Sequence, residues 1–195
     1  ATALCLARLA TLETALKDDP RALSVGGGSV RGSLDHIVLA LTLDAAGIVP
    51  RSVRYLPYDG GGKAMLALLG GEVRILSTGL GETIPFIESG QARALAVSAP
   101  RRIEAIADTP TLVELGREVV FANWRGVFAQ KSVDAAHRDK LIEGYASLRS
   151  SEAWRQVLRK RGWQSLDLEG DGFSAFLAQQ ERDLVPVLKA LGFVR

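Results

Sequence analysis

The residues best suited to chemistry in this sequence lie in three glycine-rich loops. They read SVGGGSVRGSLDH (24–36), YDGGG (58–62) and STGLGE (77–82). Glycine lets the backbone approach a ligand closely, and the first turn of a helix offers unpaired N–H groups with a partial positive charge. The first loop is therefore suited to holding an anionic oxygen, with Ser29, Ser33 and the neighbouring amides as donors. For any single loop, a simple tight turn is the better interpretation.

Each glycine loop joins a predicted strand to a predicted helix. Apolar runs of strand length occupy residues 22–25, 52–58, 72–76, 92–99, 119–130 and 163–168. Helices are predicted, from apolar residues at helical spacing and from cap and stop residues, over residues 2–17, 34–46, 63–69, 85–89, 133–148, 152–160 and 171–191. Ser33 is the predicted N-cap of the second helix, and Pro186 is expected to kink the last. This alternation predicts an α/β fold with a mainly parallel sheet and helices on both faces.

A parallel sheet would gather the three loops at one edge. Ligands of such folds bind outside the carboxyl ends of the strands, where these loops would lie. Three such loops at a common edge shift the balance towards binding. The bulk composition adds little, because 195 residues with a net charge of +2 suit one α/β domain or two small lobes. The near-balanced charge indicates no nucleic-acid partner.

Sharper motifs for catalysis, cofactors or metals are absent from the sequence. It lacks the dinucleotide fingerprint, the phosphate-binding P-loop and the nucleophile elbow. Two histidines, His36 and His137, are too few for a histidine metal site, and no loop is rich enough in carboxylates to suggest calcium. We therefore predict binding rather than turnover, with no metal or cofactor. His36 would either donate to a bound anion or cap and pack locally.

The start of the chain gives few indications of compartment. Cys5 is the single cysteine, which excludes an internal disulfide, and its apolar neighbours predict a small buried residue. The first residue is Ala, and the opening segment resembles neither a secretory leader nor a membrane span. We expect the chain to begin inside a longer product or after processing.

Six segments, in order through nearly the whole chain, resemble the substrate-binding proteins of tripartite tricarboxylate transporters, the TctC-like or Bug-type family. They are VGGGSVRGSLDH, YLPYDGGGKAMLALLGGEV, IESGQARALAVSAPRR, DTPTLVELG, FANWRGVFAQ and LVPVLKALGF. FAQKS departs from the family's usual Ala-Pro at that point. The resemblance implies a type II periplasmic-binding-protein fold of two lobes, here with an incomplete first lobe. Residues 1–21 and 122–195 would form that partial lobe and residues 22–121 the second lobe.

The resemblance also implies a function. A small carboxylate, such as a dicarboxylate, tricarboxylate or acidic amino acid, would bind between the lobes and pass to the permease subunits of the transporter. The protein would be periplasmic and not an enzyme. Family members carry further first-lobe strands before the point that matches Ala1, and a sheet without them would expose edges and apolar faces. Three explanations compete: a fragment, a truncated gene product, or a chain completed by a partner or by self-association. Two alternatives stay open: an α/β enzyme or cofactor domain that binds a phosphate-bearing ligand, and a truncated remnant that binds nothing.

Matching the family's loops residue by residue implies a set of ligand contacts. The candidates are Gly28, Ser29, Gly32, Ser33 and His36 in the first loop, Tyr58, Gly60 and Gly61 in the second, Ser77 and Thr78 in the third, and Asn123 and Trp124 where the chain crosses between lobes. For Trp124, a core aromatic beside the hinge is an equally good interpretation.

Overall fold

The computed structural model describes residues 8–194, and these residues fall into two compact units. The first unit contains the chain up to Ala122 and from Glu181 onward, and the second is Asn123–Gln180. Cys5 and the first residues of the predicted N-terminal helix lie outside the described residues. The assignment of residues to the family's two lobes stays a prediction.

A sheet of three parallel strands forms the centre of the first unit. The strands are β1 (Ser24–Gly27), β2 (Arg54–Pro57) and β3 (Ile75–Leu76), in the order β2-β1-β3. The register places Val25 opposite both Tyr55 and Ile75. Residues in register share a face of the sheet, and these three are buried in one hydrophobic cluster.

Helices cover both faces of this sheet, as predicted. The first unit contains α1 (Leu9–Asp18), α2 (Leu34–Ala45), α3 (Gly61–Leu69) and α4 (Ile84–Glu88). The second unit contains α5 (Ala135–Ser150) and α6 (Glu152–Arg161), and α7 (Gly170–Ala190) has residues in both. Buried leucines of α1 and α2 join the Val25 cluster, whereas the buried residues of α3 lie outside it. The strand order reverses after β1, and right-handed crossovers then place α2 and α3 on opposite faces.

Six of the predicted helices are confirmed at their predicted places, from α2 to α7. The last continues through Pro186. The first predicted strand is shifted, because Gly26 and Gly27 lie inside β1 rather than ending it. Short 3-10 turns occur at Pro50–Ser52, Leu80–Glu82 and Glu104–Ile106.

Three predicted strands, over 92–99, 119–130 and 163–168, are wrong. In the first, Val97 makes only an isolated bridge to Thr111. The segment over 119–130 makes one backbone hydrogen bond to the segment over 92–99, from the Phe121 N–H to the Ser98 carbonyl at 2.9 Å, and forms no strand. Residues 92–99 are mostly half-buried, with Leu95 and Ala96 against the hydrophobic cluster, whereas most of 163–168 is exposed, so an apolar pattern alone does not place a segment in the hydrogen-bonded ladder.

The second unit is built differently from the first. Residues 123–180 include none that is buried. An aromatic cluster of Trp124, Phe128, Phe173 and Phe176 holds part of it together, with ring centroids 5.5–6.5 Å apart. The N-caps Asp134 and Ser151 accept hydrogen bonds at the starts of α5 and α6.

None of the helices within residues 8–194 combines the length and the apolar character needed to cross a membrane.

One ion pair joins α1 to the distant segment before Val119. Arg117 donates from Nε to the Glu13 carboxylate at 2.9 Å and from a second nitrogen to its other oxygen. Only 6% of Glu13 is exposed. A buried carboxylate of this kind depends on its partner, because the cost of removing its charge from water is otherwise uncompensated.

We predict that Arg117→Met lowers the free energy of unfolding of the first unit by about 3 kcal/mol, because it leaves Glu13 charged and unpaired. Adding Glu13→Gln to this variant should recover part of the loss. Hydrogen exchange of the β1 amides measures both. Equal losses in the single and double variants would show that the pair's charge is not what matters.

Candidate functional site

The first and second glycine loops are in direct backbone contact. The Gly60 N–H donates to the Gly28 carbonyl at 3.0 Å, and the Tyr58 N–H donates to the Gly27 carbonyl at 2.8 Å. A Cβ on Gly28 would stand 2.6 Å from the Gly60 carbonyl carbon and overlap the backbone of Gly61. The loops meet this closely only because Gly28 has no side chain.

The third loop completes the same edge of the sheet. The Ser77 N–H donates to the Gly26 carbonyl at 2.9 Å, and the Ser77 hydroxyl donates to the Asp35 carbonyl at 2.8 Å. A Cβ on Gly61 would lie 2.7 Å from Thr78 Oγ1. The three loops therefore converge at the carboxyl ends of the strands, where the strand order reverses. This is the position at which open α/β sheets bind ligands.

Ser29, and not Ser33, supplies the side-chain cap of α2. Ser33 has the extended N-cap backbone, but its side chain makes no capping hydrogen bond. Instead the Asp35 N–H donates to Ser29 Oγ at 3.1 Å, and the Tyr55 hydroxyl donates to the Ser29 carbonyl at 2.7 Å. The expectation that the Ser33 side chain caps α2 is thus corrected, since the loop brings an earlier serine over the helix start.

His36 is buried beside the first loop. Its Nδ1 accepts a hydrogen bond from the Gly32 N–H at 2.9 Å, and its ring lies 4.4 Å from the Tyr55 ring centroid. Burial lowers the pKa of the imidazole, and the charge of Arg31 lowers it further. The side chain therefore caps and packs locally, in a neutral form that leaves Nε2 as the protonated nitrogen.

Two acidic side chains lie among the loops. Burial raises the pKa of the Asp35 carboxyl; hydrogen bonding to Gly28 N–H and Ser29 opposes this, and the charge of Glu82 adds to it. Glu82 reaches over the start of α3, where its carboxylate oxygen touches the place that a Cβ of Gly61 would fill. Part of the first loop's donor capacity is thus already directed at the protein's own carboxylate.

The start of α3 retains unused donors. The N–H groups of Gly61, Gly62, Lys63 and Thr78 make no hydrogen bond with any part of the chain that the structure describes. Gly60, at φ +96°, turns the chain into the helix without a side-chain cap. Free N–H groups at a helix start attract negative charge.

Tyr58, Asn123 and Trp124 are the remaining candidate residues. The Tyr58 ring packs on the Gly26 face of β1, and its hydroxyl is close to Glu72, before β3 begins and so away from the loop edge. Burial, and then Glu72, raise the pKa of that hydroxyl. Asn123 and Trp124 belong to the second unit, where Trp124 is part of the aromatic cluster.

Sequence reasoning missed Asp35 and Glu82. Asp35 had a usable signal, because a carboxylate in the first turn after a glycine loop favours the positive end of a helix. Glu82 had none, since its position depends on the path of the third loop.

A family model described as the tripartite tricarboxylate transporter family receptor, TctC, matches residues 3–193. The chain belongs to this family. Its proteins are periplasmic solute-binding proteins.

Three proteins of known sequence or structure are similar to this chain. The "UPF0065 protein in gbd 5'region" of Cupriavidus necator is 26% identical over 141 residues, which are 72% of this chain and 43% of that protein. The chain therefore spans less than half of that relative. A Rhodopseudomonas palustris protein solved with adipate superposes with a TM-score of 0.80 at 23% identity, over 98% of this chain and 63% of that one. MatC from the same organism, solved with bound malate, gives a TM-score of 0.73 at 19% identity, over 98% and 63%. These likenesses confirm the periplasmic-binding-protein fold class, of which this chain spans a part.

We predict that Gly28→Ala lowers the free energy of unfolding of the first unit by about 1–3 kcal/mol, because the new methyl group must push the second loop away. Gly62→Ala is the matched control, since nothing lies within 4 Å of a Cβ there. It should be neutral or slightly stabilising. Hydrogen exchange of the β1 amides compares the two, and equal effects would mean that the loops do not touch at Gly28.

We predict that His36 makes stability depend on pH. Its pKa is lower in the folded protein than the ordinary 6.5, so the unfolded chain binds more protons between the two values. The stabilisation that neutral His36 contributes to the free energy of unfolding should therefore be fully present above pH 6.5 and decrease as the pH drops below that value. His36→Asn keeps an acceptor for the Gly32 N–H and should flatten this dependence. Denaturant titrations across this range measure it, and the same slope in His36→Asn would assign the effect to other groups.

Proposed function

We propose that the protein is an extracytoplasmic receptor that binds a small organic carboxylate where the three loops meet and delivers it to a membrane permease. The observation that carries this proposal is the set of unused N–H donors at the start of α3, beside the first and third loops. The family membership supports it, as do the adipate and malate in two structural neighbours.

The electrostatics of the site favour this function over a phosphate-binding enzyme. Asp35 and Glu82 place negative charge beside the free amides. The nearby Lys63 is paired with Asp59 at 2.9 Å. A phosphate monoester concentrates up to two negative charges on one group, which would be repelled more strongly at this point than one carboxylate group, whose partner carboxylate lies farther along the ligand.

The same acidic residues favour one kind of carboxylate. A ligand that bears an ammonium group next to its carboxylate would give the amides their anion and give Asp35 and Glu82 a cation. Acidic amino acids have this character, whereas plain dicarboxylates do not. Within the proposed class, we therefore expect aminocarboxylates to bind more tightly.

Glutamate and glutarate form a matched pair, because they differ only in the ammonium group. We expect the 195-residue chain to bind glutamate more tightly than glutarate. Glu82→Gln should lower the affinity for glutamate by about tenfold and leave the affinity for glutarate unchanged or higher. Isothermal titration calorimetry gives all four affinities. Tighter binding of both ligands to Glu82→Gln would instead make Glu82 a competitor for the anion position.

Ser33→Ala tests the first loop separately. The Ser33 hydroxyl makes no capping hydrogen bond, so its loss should leave stability unchanged. We expect the free energy of ligand binding to weaken by about 1–2 kcal/mol, the size of one hydrogen bond to a charged acceptor. Ser147→Ala, on the exposed surface of α5, is the control in the same calorimetric assay. An affinity equal to that of the control would remove Ser33 from the site.

The second unit favours a further partner for the receptor. None of residues 123–180 is buried, and Leu141, Tyr145 and Leu148 of α5 are exposed. Apolar side chains in such number support association with another polypeptide or with a second copy. Light scattering at several concentrations would detect self-association, and a monomer throughout would leave only a different partner.

A further inference from the structure

The chain turns sharply after its last helix and returns to the first loop. Ala190 ends α7, the Gly192 N–H donates to the Lys189 carbonyl at 2.9 Å, and the Phe193 N–H donates to the Leu188 carbonyl at 2.9 Å. Gly192 takes φ +82°, a conformation that glycine adopts freely at helix ends. This turn fixes the direction in which the Phe193 side chain leaves the helix.

The Phe193 ring rests on two residues of the first loop. Its Cδ2 and Cε2 lie 3.2 Å from the position that a Cβ of Gly32 would occupy, so the ring fills the space left by that glycine. Its centroid is 6.1 Å from the His36 ring, in an edge-on arrangement at 86°. Gly32 and His36 are themselves joined by the hydrogen bond from Gly32 N–H to Nδ1.

His36 is thereby held between two aromatic rings. Tyr55 lies on one side at 4.4 Å and Phe193 stands edge-on to it at 6.1 Å. The Phe193 ring remains 49% exposed, so burial of its own surface is incomplete. What the ring does cover is the turn at Gly32, whose φ of +79° sets the path of the loop into α2.

We infer that Phe193 is a positioning residue of the ligand site: it clamps the Gly32–His36 turn, and through that turn it holds the first loop against the second and third. The inference rests on the proposed function. It assigns the C-terminal segment, distant in sequence from all three loops, a part in carboxylate binding. Phe193 itself touches no ligand in this role.

The imidazole of His36 makes the contact measurable. Removing the ring exposes His36 to water, which relieves the burial that lowers the pKa of its imidazole. NMR titration of the full chain should therefore show the His36 midpoint moving upward in Phe193→Ala, towards the ordinary value of 6.5.

Calorimetry with glutamate and glutarate on the same variants completes the experiment. We expect Phe193→Ala to lower the affinity for whichever of the two compounds binds more tightly by about threefold to tenfold. Phe193→Tyr should retain both the affinity and the His36 midpoint of the unaltered chain. Val194→Ala, at the next residue, is the matched control and should change neither. If Phe193→Ala does not fold, Phe193→Leu provides a smaller loss of the same contact.

An unchanged His36 midpoint in Phe193→Ala would show that the ring does not cover the turn, and would overturn the inference. A shifted midpoint with unchanged affinity would do so too, because the contact would then be structural only. If the unaltered chain binds neither compound, the proposed function fails, and the positioning role fails with it. Binding by the unaltered chain without any effect of Phe193→Ala would leave the proposed function standing and remove only the role of Phe193.

Discussion

The close approach of two glycine loops is the constraint on which the candidate site depends. Gly28 lies so near Gly61 that no Cβ fits between them, and Gly61 in turn faces Thr78 and Glu82. A side chain at either glycine would separate the loops and move the start of α3 from the end of β1. Glycine at these positions brings main-chain groups together but offers no side chain to a ligand. Recognition by these loops therefore depends on main-chain N–H groups and nearby charges.

The alternation of strand, loop and helix could be predicted because local spacing alone specifies it. Helical periodicity after each glycine loop located α2, α3 and α4, and the parallel sheet followed from the short connections. The segments over 92–99 and 119–130 were wrongly predicted as strands, because an apolar run does not show whether its backbone pairs with another strand. Whether such a run joins a ladder depends on chain that lies far away in sequence.

The site was predictable to the level of its loops but not of its charges. Glycine spacing predicted that the three loops meet at the carboxyl ends of the strands, and their hydrogen bonds and close contacts confirm that meeting. The choice between Ser29 and Ser33 as the cap depended on how the loop folds back, and the buried neutral state of His36 depended on Tyr55 and Phe193, which lie in other parts of the chain. Negative charge at Asp35 and Glu82 then alters what the amides can accept, and no local pattern carries that information.

The uneven distribution of aromatic residues has a practical consequence. All three tryptophans, Trp124, Trp154 and Trp163, fall within 123–180, while the sheet and its loops contain only tyrosine and phenylalanine. Intrinsic indole emission therefore does not report on the first unit, which holds the sheet. A denaturation curve followed by that signal describes the loosely packed helices, and need not coincide with the melting of the sheet around Tyr55.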